Sequence, residues 1–368
     1  MNSVQSGGAA SAVLAAMALL LAVTADVANA SEVPWPASTP VELAPGIIQF
    51  ITPDIAGNVV GNSIAVLMDS DVLVFDTTLL GSTANGVLGE LRSITPMPVR
   101  YVVNSHWHPD HTGGNEAFAA SNPQLEIIAS RETRRLMAEN AFVYIKTLQF
   151  ELTQTDREIR QDLKIGRTAD GKPLSHAERA ALQTQLAQEA RFMEEFATTH
   201  VELPSLTFDG SLTLFHGGRE LRLMMLPGHT AGDTALFLPA EKVLLAGDLL
   251  TYPVPFAANA HPSAWISSLE VLSHLDAQII VPGHGPAFKD QRYLQLVLES
   301  LRSIQQQVQE ALTRGLTLTE TQKAIHLEAM RTQFTHDDPD LNASFDGNFG
   351  PVVRQFYDEA TEGLELYQ

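Results

Sequence analysis

Asn104-Ser105-His106-Trp107-His108-Pro109-Asp110-His111-Thr112-Gly113-Gly114-Asn115 gathers three histidines and an aspartate into an H-x-H-x-D-H run. It follows Val99 to Val103, a β-branched stretch that reads as a strand. Working outward, three further groups of the same chemical kind stand in similar places: Pro227-Gly228-His229-Thr230, Ala246-Gly247-Asp248 and Pro282-Gly283-His284-Gly285. Each lies in a Gly-containing turn directly after an apolar stretch. A strand end in such a position presents its side chain to a shared cleft.

Imidazole and carboxylate are the ligands that zinc takes when thiolate is absent. Positions 106 and 108 alternate along an extended loop and can point to one side, toward one metal. Asp110 and His111 begin the next helix and are offset toward a second. Neither pair completes a coordination sphere. His229 is expected to complete the first metal and His284 the second, with Asp248 bridging both. Two metals about 3.5–4 Å apart hold a bridging hydroxide that is nucleophilic at neutral pH. The chain has 12 histidines. His176, His200, His216, His274, His326 and His336 have no ligand spacing around them and read as surface residues. His261, between Asn259 and Pro262, is read either as lining the cleft or as an ordinary loop residue.

The flanking pattern alternates short strands with helices. Strands are expected at Ile47 to Ile51, Ser63 to Met68, Val72 to Phe75, Leu125 to Ala129, Leu212 to Phe215, Leu221 to Leu226, Thr234 to Leu238, Val243 to Ala246 and Ile279 to Val281. Helices are expected at Ser82 to Ser93, near Asn115 to Ala120, at Ala264 to Leu275 and at Gln291 to Arg314. A period that switches between 2 and 3.6 indicates sheets covered by helices, an α/β fold. Two segments break the rhythm. A helical insertion over about 130–204 includes a capping box at Ser175-His176-Ala177-Glu178. A C-terminal helical extension, 316–368, follows a helix closed by Gly315.

The length of 368 residues allows one large domain or two small ones. A formal net charge of −20 argues against nucleic acid, because phosphate contacts need Lys and Arg. With no cysteine, disulfides, thiolate nucleophiles and cysteine metal sites are excluded. Ala12 to Val23 is apolar but short of the ~20 residues a membrane span needs. With Ala28-Asn29-Ala30 behind it, residues 1–30 read as a secretory signal peptide, although no Lys or Arg stands in residues 2–11. A periplasmic or secreted protein is therefore expected, with no membrane partner after cleavage. Ser31 to Pro45 reads as an extended lead-in because of its prolines.

At the ligand motifs the chain resembles the metallo-β-lactamase superfamily, from about Gly46 to Pro286. The resemblance implies a four-layer αββα sandwich over 31–315 with a dinuclear site at one edge. By carry-over, His106, His108 and His229 would bind one zinc, and Asp110, His111 and His284 the other, with Asp248 bridging. Iron or manganese suits this nitrogen and oxygen set as well. Asp76 matches an aspartate the family often keeps at a strand end. It either supports the ligand loop or caps the strand. Asp233 reads as a turn residue.

Departures from the family's patterns narrow the activity. One major β-lactamase subclass places Cys where Asp248 stands, and others place no ligand there. A bridging Asp instead resembles glyoxalase II, lactonases, ribonuclease Z and esterase-like members. Acidity and export disfavour ribonuclease Z, and export disfavours the cytosolic thioesterase role. No P-loop, H-E-x-x-H or G-x-S-x-G motif competes. The expectation is an exported dinuclear zinc hydrolase that cleaves an ester, lactone or amide of a small-molecule substrate. Asp110 would serve as a proton relay. A genuine or weak β-lactamase is the enzymatic alternative, and a non-catalytic binding or accessory protein is the alternative of another class. The insertion, with Phe142, Tyr144, Phe150, Phe192 and Phe196, is expected to wall the cleft on one side. The loop Tyr252 to Phe256 is expected to wall it on the other.

Overall fold

Two β-sheets meet face to face, and each carries helices on its outer side. The computed structural model describes residues 35, 37–55, 58–168 and 171–363, so the expected signal peptide lies outside the described residues. Strands are numbered in chain order. The first sheet is built from β1 (Thr39–Ala44), β2 (Ile47–Ile51), β3 (Ser63–Leu67), β4 (Val72–Phe75), β5 (Val99–Val103), β6 (Glu126–Ser130) and β7 (Leu206–Phe208), in that spatial order. The second contains β8 (Ser211–His216), β9 (Arg219–Met225), β10 (Thr234–Leu238), β11 (Val243–Thr251) and β12 (Ile279–His284), ordered β12-β11-β10-β9-β8.

The burial pattern explains the layering. All four residues of β4 are buried. Leu73 and Phe75 pack between the sheets with Ile64, Leu223, Leu236 and Leu245. Val72 and Val74 face outward onto Val87, Leu91 and Phe118, from the helices Gly81–Ile94 and Asn115–Ser121. A strand covered on both faces reads as a continuous apolar run, and VLVF does. The outer face of the second sheet is covered by Trp265 and Leu269 of Pro262–Ser273 and by Leu301 and Ile304 of Arg292–Thr313. Phe334, Phe345, Phe349 and Phe356 of the C-terminal helices belong to that same apolar cluster. This is the αββα sandwich, and the C-terminal segment completes one of its helical layers.

Two strands escape the sequence pattern. β1 pairs antiparallel with β2, where an extended lead-in was expected. Pro40 is tolerated there because β1 is an edge strand. β7 has three residues, too few to display a period. The sandwich, with residues 200–363, forms one compact unit, while residues 143–168 and 171–199 lie in a second. Within that second unit, Arg179 donates to the Leu163 carbonyl and Phe192 stacks on Phe196 at 5.1 Å between ring centroids. The expected capping box is present, with Ser175 Oγ accepting from the Glu178 N–H and the Glu178 carboxylate accepting from the Ser175 N–H.

Candidate metal centre

The ligand loops leave both sheets. His106 to His111 follow β5, His229 lies between β9 and β10, and His284 ends β12. Asp248 was expected in a turn after a strand that ends at Ala246. It instead lies inside β11, which runs on to Thr251 with register shifts around Gly247. Gly247 takes a positive φ of 54°. A side chain there would also collide with Ser105 Cβ at 2.7 Å. Glycine thus lets the strand bulge and turn Asp248 inward.

All seven predicted ligands come together. They form two groups, His106, His108, His229 and Asp248 on one side and Asp110, His111 and His284 on the other, with ligand atoms of each group within 4.8 Å of one another. His108 Nδ1 faces His229 Nε2 at 3.0 Å, and His111 Nε2 faces His284 Nε2 at 3.2 Å. Asp248 touches both groups: Oδ1 lies 3.2 Å from His111 Nε2, and Oδ2 lies 3.5 Å from His229 Nε2 and 3.6 Å from His284 Nε2. Asp110 Oδ2 lies 3.2 Å from His111 Nε2 and 3.1 Å from His284 Nε2.

This arrangement fits divalent metals. His106 Nε2 is buried with no hydrogen-bond partner, which is costly unless a cation takes its lone pair. Burial holds His106 well below the usual imidazole range, and burial with His229 brings His108 down to about 3. Neutral imidazole is the ligating form. On the other side, burial pulls His111 and His284 down, but Asp248 and Asp110 outweigh it. His111 ends well above its usual value and His284 at about 9. Burial would raise Asp110 and Asp248, yet the neighbouring histidines hold both well below the carboxylate range.

Groups outside the ligand set orient it. Asp76 is buried, with a positive φ of 62°. Its Oδ1 accepts the Ser105 N–H at 2.7 Å, and its Oδ2 accepts the Ser105 hydroxyl at 2.7 Å and His111 Nδ1 at 2.9 Å. Of the two roles open in the sequence, support of the ligand loop is the one the geometry bears out. His229 Nδ1 meets the Phe256 carbonyl at 2.9 Å. Sequence reasoning missed Asn62, whose amide donates to the Pro282 and Gly285 carbonyls and so ties the first sheet to the His284 turn. It also missed Asn259, which meets His108 Nε2 at 3.3 Å. A lone Asn in a loop carries no signal that could have found either. Asp233 accepts from the Thr230 N–H and hydroxyl, as a turn residue does. His261 precedes the helix Pro262–Ser273 and donates its N–H to the Gly228 carbonyl. His216 is paired with Asp71 at 2.9 Å and is not a plain surface residue.

Of the expected walls, Phe256 lies 5.7 Å from the His229 ring and 6.4 Å from the His108 ring, between centroids. Tyr252 packs on Tyr293 and Phe288. The side chains of Phe142 and Tyr144 lie outside the described residues, and Phe150 is exposed.

The model of the metallo-beta-lactamase superfamily matches residues 56–284, more than half of the chain. The chain belongs to the metallo-beta-lactamase superfamily. It is 25% identical, over 299 residues, to a linear primary-alkylsulfatase from Pseudomonas sp. (strain ATCC 19151), covering 78% of this chain and 53% of that one. It superposes on the sec-alkylsulfatase Pisa1 from Pseudomonas sp. with a TM-score of 0.59 at 17% identity, over 90% of this chain and 51% of that one. A metallo-beta-lactamase from Pontibacter korlensis matches with a TM-score of 0.51 at 21% identity, over 72% of this chain and 99% of the other. The chain thus spans about half the length of the alkylsulfatases it resembles. All seven residues of the His/Asp cluster lie within the stretch that the superfamily model matches.

Proposed function

We propose that the protein is an exported dinuclear zinc hydrolase that cleaves an ester, lactone or amide bond of a small molecule. The observation that carries this reading is the pair of converging donor groups joined by Asp248, with His106 Nε2 buried and unpartnered. His106, His108 and His229 would hold one ion, Asp110, His111 and His284 the other, and Asp248 would serve both. Bound there, the metals would supply Lewis acidity and a water-derived nucleophile at neutral pH. The chain's own groups do the rest. Asp76 and the Phe256 carbonyl fix the imidazole orientations. Asp110, 3.2 Å from His111 Nε2 and 3.1 Å from His284 Nε2, would accept a proton from the attacking water and return it to the leaving group. Phe256 offers an apolar surface beside the first group.

A second reading is hydrolysis of a sulfate ester. The relative described as a linear primary-alkylsulfatase, which matches over 78% of this chain, favours it. Metal analysis of the purified protein, followed by turnover on p-nitrophenyl esters, lactones, a cephalosporin and a primary alkyl sulfate, separates the readings. Two metals per chain with fastest turnover of a carboxylic ester or lactone supports the first. Turnover confined to the alkyl sulfate replaces it with the second. A protein that takes up neither zinc, iron nor manganese ends both. Export is tested separately, by the N-terminal sequence of the protein recovered from the periplasm or medium.

A further inference from the structure

His108 stands apart from the other first-group histidines in the nitrogen it turns inward. Its Nδ1 meets His229 Nε2, and its Nε2 faces out to the Asn259 side-chain amide at 3.3 Å. An imidazole that ligates through Nδ1 carries its proton on Nε2, and that N–H needs an acceptor. The opposite tautomer needs a donor at the same place. A carboxamide offers both, because its oxygen and nitrogen exchange places by rotation about one bond. Asn259 is exposed, so that rotation requires no repacking.

We infer that Asn259 is a positioning residue whose amide selects the tautomer of His108, and so sets the affinity of the first metal group. The inference rests on the reading of this cluster as a metal site. Asn259 is held in place from the C-terminal helices. Ala257 donates its N–H to the Asn348 carbonyl at 2.8 Å, and Gln355 Nε2 donates to the carbonyls of Ala257 and Ala258. Tyr293 donates its hydroxyl to the carbonyls of Thr251 and Pro253 at the other end of the loop. The same loop contributes the Phe256 carbonyl that meets His229 Nδ1. One clamped segment therefore reads the outer nitrogen of two ligands. Phe256 does so with a fixed acceptor, and Asn259 with a group that can turn over.

The test uses the full chain with ¹⁵N-histidine labelling. The His108 tautomer is read from long-range ¹H–¹⁵N spectra of wild type, Asn259→Leu and Asn259→Asp, first stripped by chelator and then loaded with zinc. An acceptor-only Asp should hold the proton on Nε2 in both conditions. Wild type should move it from Nδ1 to Nε2 on loading. Asn259→Leu should lower first-group zinc affinity about 10–100-fold, the range for a lost outer partner of a ligand, and Asn259→Asp should not. The same His108 tautomer in all three stripped proteins, or unchanged zinc affinity in Asn259→Leu, overturns the inference. Wild type that takes up no zinc overturns the metal reading itself, while the stripped-protein spectra still judge Asn259. Gln355→Ala loosens the clamp from outside the site and should give a smaller fall in affinity at unchanged secondary structure. No fall there removes the clamp from the account.

Discussion

Replacing Asp76 with Asn tests how the second ligand group is held. Asp76 sits at φ 62°, a region that Asn tolerates nearly as well as any residue but Gly, so the backbone is expected to stay in place. The carboxylate accepts three hydrogen bonds, at 2.7 Å from the Ser105 N–H, 2.7 Å from the Ser105 hydroxyl and 2.9 Å from His111 Nδ1. The amide has one acceptor and one donor. If its oxygen keeps the Ser105 N–H, its NH₂ is left facing His111 Nδ1 and the Ser105 hydroxyl. The hydroxyl can turn and accept. His111 cannot accept when its Nε2 ligates, because the proton then stands on Nδ1. The variant thus loses one hydrogen bond to a charged group, worth about 1.5–3 kcal/mol, which is roughly 10–150-fold in an equilibrium constant. That loss should fall on the affinity of the Asp110, His111 and His284 group. A smaller effect should reach His106, whose Nδ1 meets the Ser105 hydroxyl at 2.9 Å. Competition against a chromogenic chelator resolves two binding steps. Two affinities within threefold of wild type would refute the argument that Asp76 orients His111.

Four further outcomes are expected. His108→Ala should lose metal from the first group, measured by plasma emission on the dialysed protein, and hydrolysis with it. Gly283→Ala should place a Cβ 1.8 Å from Asp248 Oδ1 and displace that carboxylate. Metal content should drop below two per chain while the far-ultraviolet circular dichroism stays that of wild type; undiminished metal content would show that Asp248 is dispensable. The two groups should also respond differently to pH. His284 is raised to about 9 and His111 well above its usual value, so a metal must displace protons from this group, and second-group affinity should rise about tenfold or more per unit between pH 6 and 9. His108, at about 3, is already neutral, so first-group affinity should stay nearly flat from pH 6 to 9, and acidification monitored by metal release should empty the second group first. Finally, a cephalosporin should be turned over more slowly than a lactone or simple ester. A kcat/KM near 10⁴ M⁻¹s⁻¹ or above on the cephalosporin would count against the ester reading.

The sequence exposed the site more fully than the fold around it, for a physical reason. Seven groups able to bind a cation, set in a tight motif and three glycine-flanked positions, have few arrangements that avoid burying bare polar atoms, so their order in the chain nearly dictates their convergence. Strands such as Val72–Phe75 were legible because burial on both faces demands an unbroken apolar run. β1 and β7 were not, since an edge strand with a proline and a three-residue strand carry no such demand. The groups that steer the ligands were harder still. Asp76 was visible as a candidate only through its match to an aspartate that the family often keeps at a strand end. Asn62, Asn259 and the Phe256 carbonyl act through contacts between segments up to 223 residues apart, and nothing local in their composition distinguishes them.

The placement of the two groups links metal binding to the sandwich itself. In the first group, His106 and His108 follow a strand of the first sheet, and His229 and Asp248 come from the second. In the second group, Asp110 and His111 come from the first sheet's side and His284 from the second. Each ion would therefore span the seam between sheets, which otherwise meet mainly through apolar contacts. The seam already carries polar ties at this end, from Asn62 to the Pro282 and Gly285 carbonyls and from the Thr234 N–H to the Ser105 carbonyl at 2.6 Å. These bonds tie the two edges beside the donor atoms, which lie within 4.8 Å of one another in each group. A ligand that binds only the folded chain adds RT ln(1 + [L]/Kd), about 4 kcal/mol at a thousandfold excess over Kd. Because the donors of each group are divided between the sheets, that energy would oppose separation of the two edges.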